Sequence, residues 1–288
     1  MMEKLEKCVQ LGEKLGAEFT EARFEDLVLR TLQRVNDTWK DVILRFRSGV
    51  GVTCYYRGVS GYSFTASGNK KEHEETVSKA FKMAKASSSA ASLRLNFNRR
   101  PAVKSRKTDT FPIGIHPRTK DLGYKTGMVD RVVDAARESG KNISNISARY
   151  GELYGRKLFT NSEGSIVDWN FEVIDLGCSV VSKTESGDLV EGDSRAGGTM
   201  GLELFNKKGS RPEDLGKEAA TNAKEQLKAK ACPAGKFRAL IESELTGVLA
   251  HESFGHLSEG DFIVTGESPL TGKMGSRLGT ENATIIDT

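Results

Sequence analysis

Two long blocks of two-residue alternation run through the chain and restrict it to architectures built on sheets. The first covers AEFTEARFEDLVLRTLQRVND and DVILRFRSGVGVTCYYRGVSGYSFTA, where short apolar and polar runs exchange and Gly49, Gly51, Gly58 and Gly61 punctuate them. The second is ISARYGELYGRKLFTNSEGSIVDWNFEVIDLGCSVVSKTESGDLVEGDSRAGGTMGLELF, with NSEG at Asn161 to Gly164 as a hairpin signal. A period of two sends successive side chains to opposite faces, so both blocks predict antiparallel strands joined by tight turns.

Each block is flanked by helical spacing. From Met1 to about Leu15 the residues Leu5, Cys8, Val9, Leu11, Gly12 and Leu15 recur as on one helix face, and Gly16 is a plausible stop. KEHEETVSKAFKMAKASSSAASL puts Val77, Ala80, Phe81 and Ala84 on a stripe. Met128, Val132, Val133 and Ala136 mark a third helix ended by Gly140, and a fourth spans about Pro212 to Ala229. Helix, sheet, helix thus occurs twice, which predicts an α+β fold of mostly antiparallel sheets, each covered by helices. Between them, Arg94 to Pro117 is basic, holds three prolines and has no period, as expected of a crossing segment.

The expected division is therefore 1–93, 94–231 and 232–288. After Cys232-Pro233-Ala234-Gly235 the character changes. FRALIE is a strand candidate, Ser243 can cap a helix whose buried face is Leu245, Val248 and Leu249, and TIIDT is a final apolar strand. A strand with no successor predicts the incomplete start of a β-rich domain.

Composition excludes several classes. Forty-three Lys and Arg against 39 Asp and Glu leave a net charge of +4, scattered except for a cluster from Arg99 to Lys107, which argues against a dedicated nucleic-acid binder. The opening MMEKLEKCVQLGEKLG interrupts its apolar residues with charges, and no run approaches the ~18 apolar residues of a membrane span, so a cytoplasmic location is expected. Cys8, Cys54, Cys178 and Cys232 form no CxxC pair and are expected reduced. Without secretion, the N-x-S/T triplets at Asn142, Asn145 and Asn282 are chance matches. His73 and His116 are solitary and expected at the surface. RAGGTMG, residues 195 to 201, lacks the Lys-Ser/Thr pair of a phosphate loop and predicts a strained turn.

GVLAHESFGHLSEGDF, residues 247 to 262, carries the chemistry. His251 and His256 are five apart with Glu252 after the first. Zinc takes imidazole nitrogens at about 2.0–2.1 Å, so both rings must converge. On a regular helix i, i+4 side chains are about 40° apart and converge, whereas i, i+5 side chains are about 140° apart. A π-bulge inserts the extra residue and restores the shared face, with Gly255 the residue expected to tolerate the distortion. Glu252 is then placed to act as general base toward water at the metal. Glu259 and Asp261 could orient a ligand ring or shape the turn. A histidine pair with a glutamate is by itself a common coincidence.

The flanks narrow the choice. With AKACPAGKFRALIESELTG before it and SPLTGKMGSRLG after it, and with GVGVTCYYRGVSGYSF and NSEG upstream, the motif resembles the TldD/PmbA family of metallopeptidases, specifically the TldD-type subunit with HExxxH. The resemblance implies one zinc ion held by His251, His256 and a cysteine farther downstream, with Glu252 as the catalytic carboxylate. Cys232 does not occupy that cysteine's position. It also implies peptides or unstructured polypeptide precursors as substrate, held by strand-type hydrogen bonds, and a homodimer or a heterodimer with a PmbA-type subunit, with neither nucleic acid nor membrane as partner. The chain ends at Thr288, short of the third ligand, so it is expected to be an N-terminal portion that is inactive alone. The other reading is a non-catalytic assembly or peptide-binding subunit of the same fold.

Overall fold

A computed structural model describes residues 1–66, 68–91, 93–95, 101–105 and 113–286. The chain forms two units, one of Met1–Ala91 with Phe97–Lys230 and one of Ser92–Asn96 with Ala231–Thr288. Four of the five basic residues of the cluster from Arg99 to Lys107, and the last two residues of TIIDT, lie outside the described residues.

The first unit is α+β. Helix α1 (Met2–Leu15) ends at Gly16, whose φ of 100° and N–H bond back to Glu13 close it as a left-handed cap. Strands β1 (Phe19–Val35), β2 (Thr38–Tyr56) and β3 (Val59–Thr65) follow, then α2 (Lys70–Ser87). Asn69 caps α2 by accepting from the Glu72 amide, and its own Nδ2 donates to the Glu72 carboxylate, a reciprocal cap. The two-residue β4 (Lys104–Ser105) precedes α3 (Leu122–Ser139), capped by Asp121. Strands β5 (Ile143–Asn161), β6 (Ile166–Lys183) and β7 (Leu189–Gly198) lead to α4 (Pro212–Gln226), which starts with proline at its first position.

Among the described residues, seven strands join one sheet in the order β3-β2-β1-β5-β6, the far side of β6 is shared by β4 and β7, and only the β4 pairing is parallel. The two helix-flanked halves therefore share a sheet through the β1–β5 seam, registered from Glu21↔Asn161 to Val35↔Ser147. The expected division near residue 93 is not a break in packing, because this seam crosses it.

The strands are far longer than the expected short runs. Gly49 and Gly51 lie inside β2, which is 19 residues long, and only Gly58 sits in a turn. There Arg57 and Gly58 have φ of 51° and 73°, the two positive values that a twist-matched hairpin turn requires. Gly61 is in β3 for a different reason: a Cβ there would lie 2.2 Å from the Ala80 carbonyl oxygen, so only glycine lets α2 approach. At the β5–β6 hairpin, Asn161 Oδ1 accepts from the Glu163 and Ser165 amides and Gly164 takes φ 80°, as NSEG predicts. RAGGTMG is not simply a turn, since its first four residues complete β7.

Two apolar clusters cover two ends of the same sheet face. Leu5, Val9, Ala22, Val52, Val77, Ala80 and Leu158 form one under α1 and α2. Leu32, Met128, Val132, Tyr150, Leu176, Leu215 and Ala219 form the other under α3 and α4. Ala22 and Leu32 have the same parity in β1, and Leu158 and Tyr150 the same parity in β5, which places both clusters on one side. His73 belongs to this buried layer, not the surface: it is 3% exposed beside Val77 and Thr76 on the inner face of α2.

One polar network lies within the second cluster. Glu152, fully buried, accepts from Lys125 Nζ at 2.9 Å, from Arg30 Nε at 3.1 Å and from the Tyr150 hydroxyl at 2.6 Å. Lys125 is itself 2% exposed, so the pair survives burial only because every charge is met by a partner.

Candidate metal centre

In the second unit, α5 (Ser243–Ala250) runs into a π-helical turn over His251–Gly255, then a 3-10 turn over His256–Ser258. The His256 amide donates to the His251 carbonyl, five residues back. That bond absorbs the extra residue of the motif. The His251 and His256 rings consequently face each other with centroids 4.5 Å apart at 67°. A short α6 (Gly260–Thr265) follows and is closed by Gly266 at φ 76°. The Ser268 hydroxyl donates to the Leu257 carbonyl and ties the segment after α6 back to the turn.

One donor atom from each of His251, Glu252 and His256 falls within 4.8 Å of the others. Glu252 Oε2 lies 3.8 Å from His256 Nε2. The other ring nitrogen, His256 Nδ1, is 2.6 Å from Glu259 Oε1. A carboxylate on Nδ1 fixes ring orientation and leaves Nε2 as the free donor, the usual arrangement behind a metal-ligating histidine. Asp261 does not reach a ring: its Oδ1 accepts from the Phe262 amide in the first turn of α6, so it shapes the turn. Two imidazoles and a carboxylate make a donor set suited to zinc.

Several local expectations change. Gly255 has φ −55° and ψ −59°, ordinary right-handed values, so the bulge does not draw on glycine's freedom. An added Cβ would meet only His251 Nδ1, at 3.6 Å. Glu242, not Ser243, is the N-cap of α5, and no side chain caps it. Leu245, Val248 and Leu249 are 50% exposed or more, and residues 237–242 and 284–286 form no strand. A strand needs a neighbour to satisfy its amides, and the described residues of this unit contain none. Cys232 is exposed, and the three buried cysteines lie in the first unit.

Residues 115–227 match the model of the PmbA/TldA metallopeptidase central domain, and residues 234–288 match that of the PmbA/TldA metallopeptidase C-terminal domain. The chain belongs to the PmbA/TldD metallopeptidase family. Among its relatives, a metalloprotease of Methanocaldococcus jannaschii is 30% identical, covering 99% of this chain and 60% of its own length. A zinc metalloprotease TldD homolog of Saccharolobus solfataricus is 23% identical over 98% of this chain and 59% of its own. The chain thus spans about 60% of the length of these curated relatives. The structure of TldE from Thermococcus kodakarensis superposes with a TM-score of 0.62 at 15% identity, covering 94% of this chain and 58% of that one, a likeness of fold. No helix among the described residues is long and apolar enough to cross a membrane.

Proposed function

We propose that the chain is the histidine-bearing, TldD-type part of a zinc peptidase, with His251 and His256 holding the metal and Glu252 acting as general base. The observation that carries this reading is the π-turn that brings both rings and the Glu252 carboxylate to one point. Zinc there would supply Lewis acidity, making water more acidic and the scissile carbonyl more electrophilic. Glu252 takes a proton from the attacking water and delivers it to the departing amine. Glu259 holds the His256 ring in place through Nδ1.

A catalytic zinc normally has three protein ligands. The third is a cysteine of the C-terminal domain, beyond the residues present here, as the family resemblance implies. The substrate is a peptide or an unstructured polypeptide, and the working form is a dimer with a second copy or a PmbA-type subunit. On this reading the 288-residue chain alone retains zinc weakly and hydrolyses little. A second reading takes Glu252 as the third ligand, because one donor atom from each of the three side chains lies within 4.8 Å of the other two; the chain would then bind metal and peptide without hydrolysis.

Glu252→Gln in a version of the length of the relatives separates the two. Retained zinc with peptide cleavage lost supports the general base; zinc lost together with cleavage supports ligation by Glu252.

A further inference from the structure

Between the two helix pairs, the helix-side face of the sheet carries a strip in which charged and apolar residues mix. Cross-strand register aligns Phe46, Val28, Tyr154 and Glu172 in one row, beside the row of Leu44, Arg30, Glu152 and Ile174. Ile113, His116, Arg118 and Thr199 border the strip and enclose with it a cavity of about 310 Å³. All of it lies in the first unit.

Glu172 is the anomalous group. It is 3% exposed, and neither carboxylate oxygen has a hydrogen bond. His116 Nε2 is 3.0 Å from Oε2, but the contact lies off the hydrogen-bond axis. His116 Nδ1 accepts from the Arg118 amide and the ring meets Tyr154 edge-on with centroids 5.2 Å apart, two contacts that favour this orientation of the imidazole. His116 is accordingly a half-buried member of this cluster, not the free surface residue expected from sequence.

The neighbouring carboxylates have partners. Glu152 is neutralised by Lys125 and Arg30, and Glu203 accepts from the Ile115 and Gly201 amides. Glu172 alone in this group is left with a buried acceptor pair, a state that costs free energy unless a donor arrives. At the rim, the Arg118 guanidinium has no ion pair or side-chain hydrogen bond among the described residues. Val28 and Ile113 add apolar wall. A buried carboxylate, a free guanidinium and an apolar side in a cavity at the small end of ligand sites match a small zwitterion.

We propose that this cavity binds a free α-amino acid, its ammonium on Glu172 and its carboxylate on Arg118. The ammonium supplies the Glu172 carboxylate with the donor it lacks, and the guanidinium takes the carboxylate as a fork. The amino acid's side chain lies along Val28 and Ile113.

The test is calorimetric titration of the 288-residue chain at about pH 8, where ordinary carboxyls are ionised, with L-alanine, L-leucine, L-phenylalanine and L-lysine. Isoamylamine and 4-methylpentanoate, each lacking one charge of leucine, are the controls. Saturable binding of at least one amino acid is expected, with both controls weaker than leucine. Glu172→Gln should weaken the amino acid and the amine about tenfold or more and leave the acid unchanged, since a charge-assisted hydrogen bond is lost. Arg118→Ala should weaken the amino acid and the acid and spare the amine. Val28→Trp, which fills the cavity, should abolish binding of all, with circular dichroism confirming that each variant is folded. No saturable binding of any amino acid by the folded wild-type chain, or undiminished binding by Glu172→Gln or Val28→Trp, overturns the proposal.

Discussion

His256 Nδ1 sits 2.6 Å from Glu259 Oε1, three residues on, and this contact points the opposite ring nitrogen toward Glu252. The carboxylate therefore acts on the site through the ring that it holds. Glu259→Ala is expected to lower zinc affinity about 10- to 100-fold, the range found when such supporting carboxylates are removed. Competition with a chromophoric chelator reads it, and unchanged affinity would rule out the orienting role.

Gly255→Ala is expected to be tolerated at the same site. The backbone there is already right-handed helical and the new Cβ meets nothing closer than 3.6 Å. Zinc affinity should stay within about threefold, and the helix should gain the ~0.5–1 kcal/mol that alanine holds over glycine. A collapse of zinc binding would show that the turn needs glycine after all.

Lys125→Met should destabilise the first unit by about 3–5 kcal/mol, because it leaves the Glu152 charge buried with one cation fewer. Urea unfolding measures the loss. Adding Glu152→Gln should recover part of it by removing the uncompensated charge, whereas a lysine that served only as packing would show no such recovery.

Glu172 makes stability depend on pH. Burial, with the nearby Glu203 and Glu152 charges, raises its carboxyl from 4.5 to about 7, against the opposing pull of Arg118 and Lys125. The folded state thus binds a proton that the unfolded chain releases at lower pH, so the contribution is full below the unfolded value and is lost as pH rises through about 7. On the order of 1–3 kcal/mol should disappear between about pH 5 and pH 8. Melting temperatures across that range should fall more steeply for the wild-type chain than for Glu172→Gln; parallel curves would assign the pH dependence to other groups.

Helices and hairpins were legible where the chemistry is local. Val77, Ala80, Phe81 and Ala84 declare a buried stripe by spacing alone, and Gly16 and Asn161–Gly164 mark a stop and a turn through backbone preferences. Strand length was not legible, because Gly49 and Gly51 look like turn residues yet lie within β2. The β1–β5 seam was hidden for a different reason: alternation shows which face of a strand is apolar, and says nothing about which strand lies beside it.

The bulge in the HESFGH segment was legible, since ring convergence at a five-residue spacing leaves few backbone solutions. Leu245, Val248 and Leu249 mark a face suited to burial, but a pattern cannot supply the surface that buries it. The Glu172 cluster had no linear signal at all. Val28, Tyr154 and Glu172 are neighbours only through the register of three strands, and His116 joins them from a connecting segment.

The seam also sets a timetable for synthesis. β1 is complete when residue 35 has been made, but the strand that covers its open edge ends at residue 161. At ribosomal speeds of ~5–20 residues per second, that edge waits on the order of ten seconds for its mate. During that interval a nascent chain with a long unsatisfied edge is a target for strand-on-strand association with its neighbours on the same message. The chain's yield in the cell should therefore respond to chaperones that shield nascent strands, and to translation rate between residues 35 and 161, more than to any change in the His251–His256 turn.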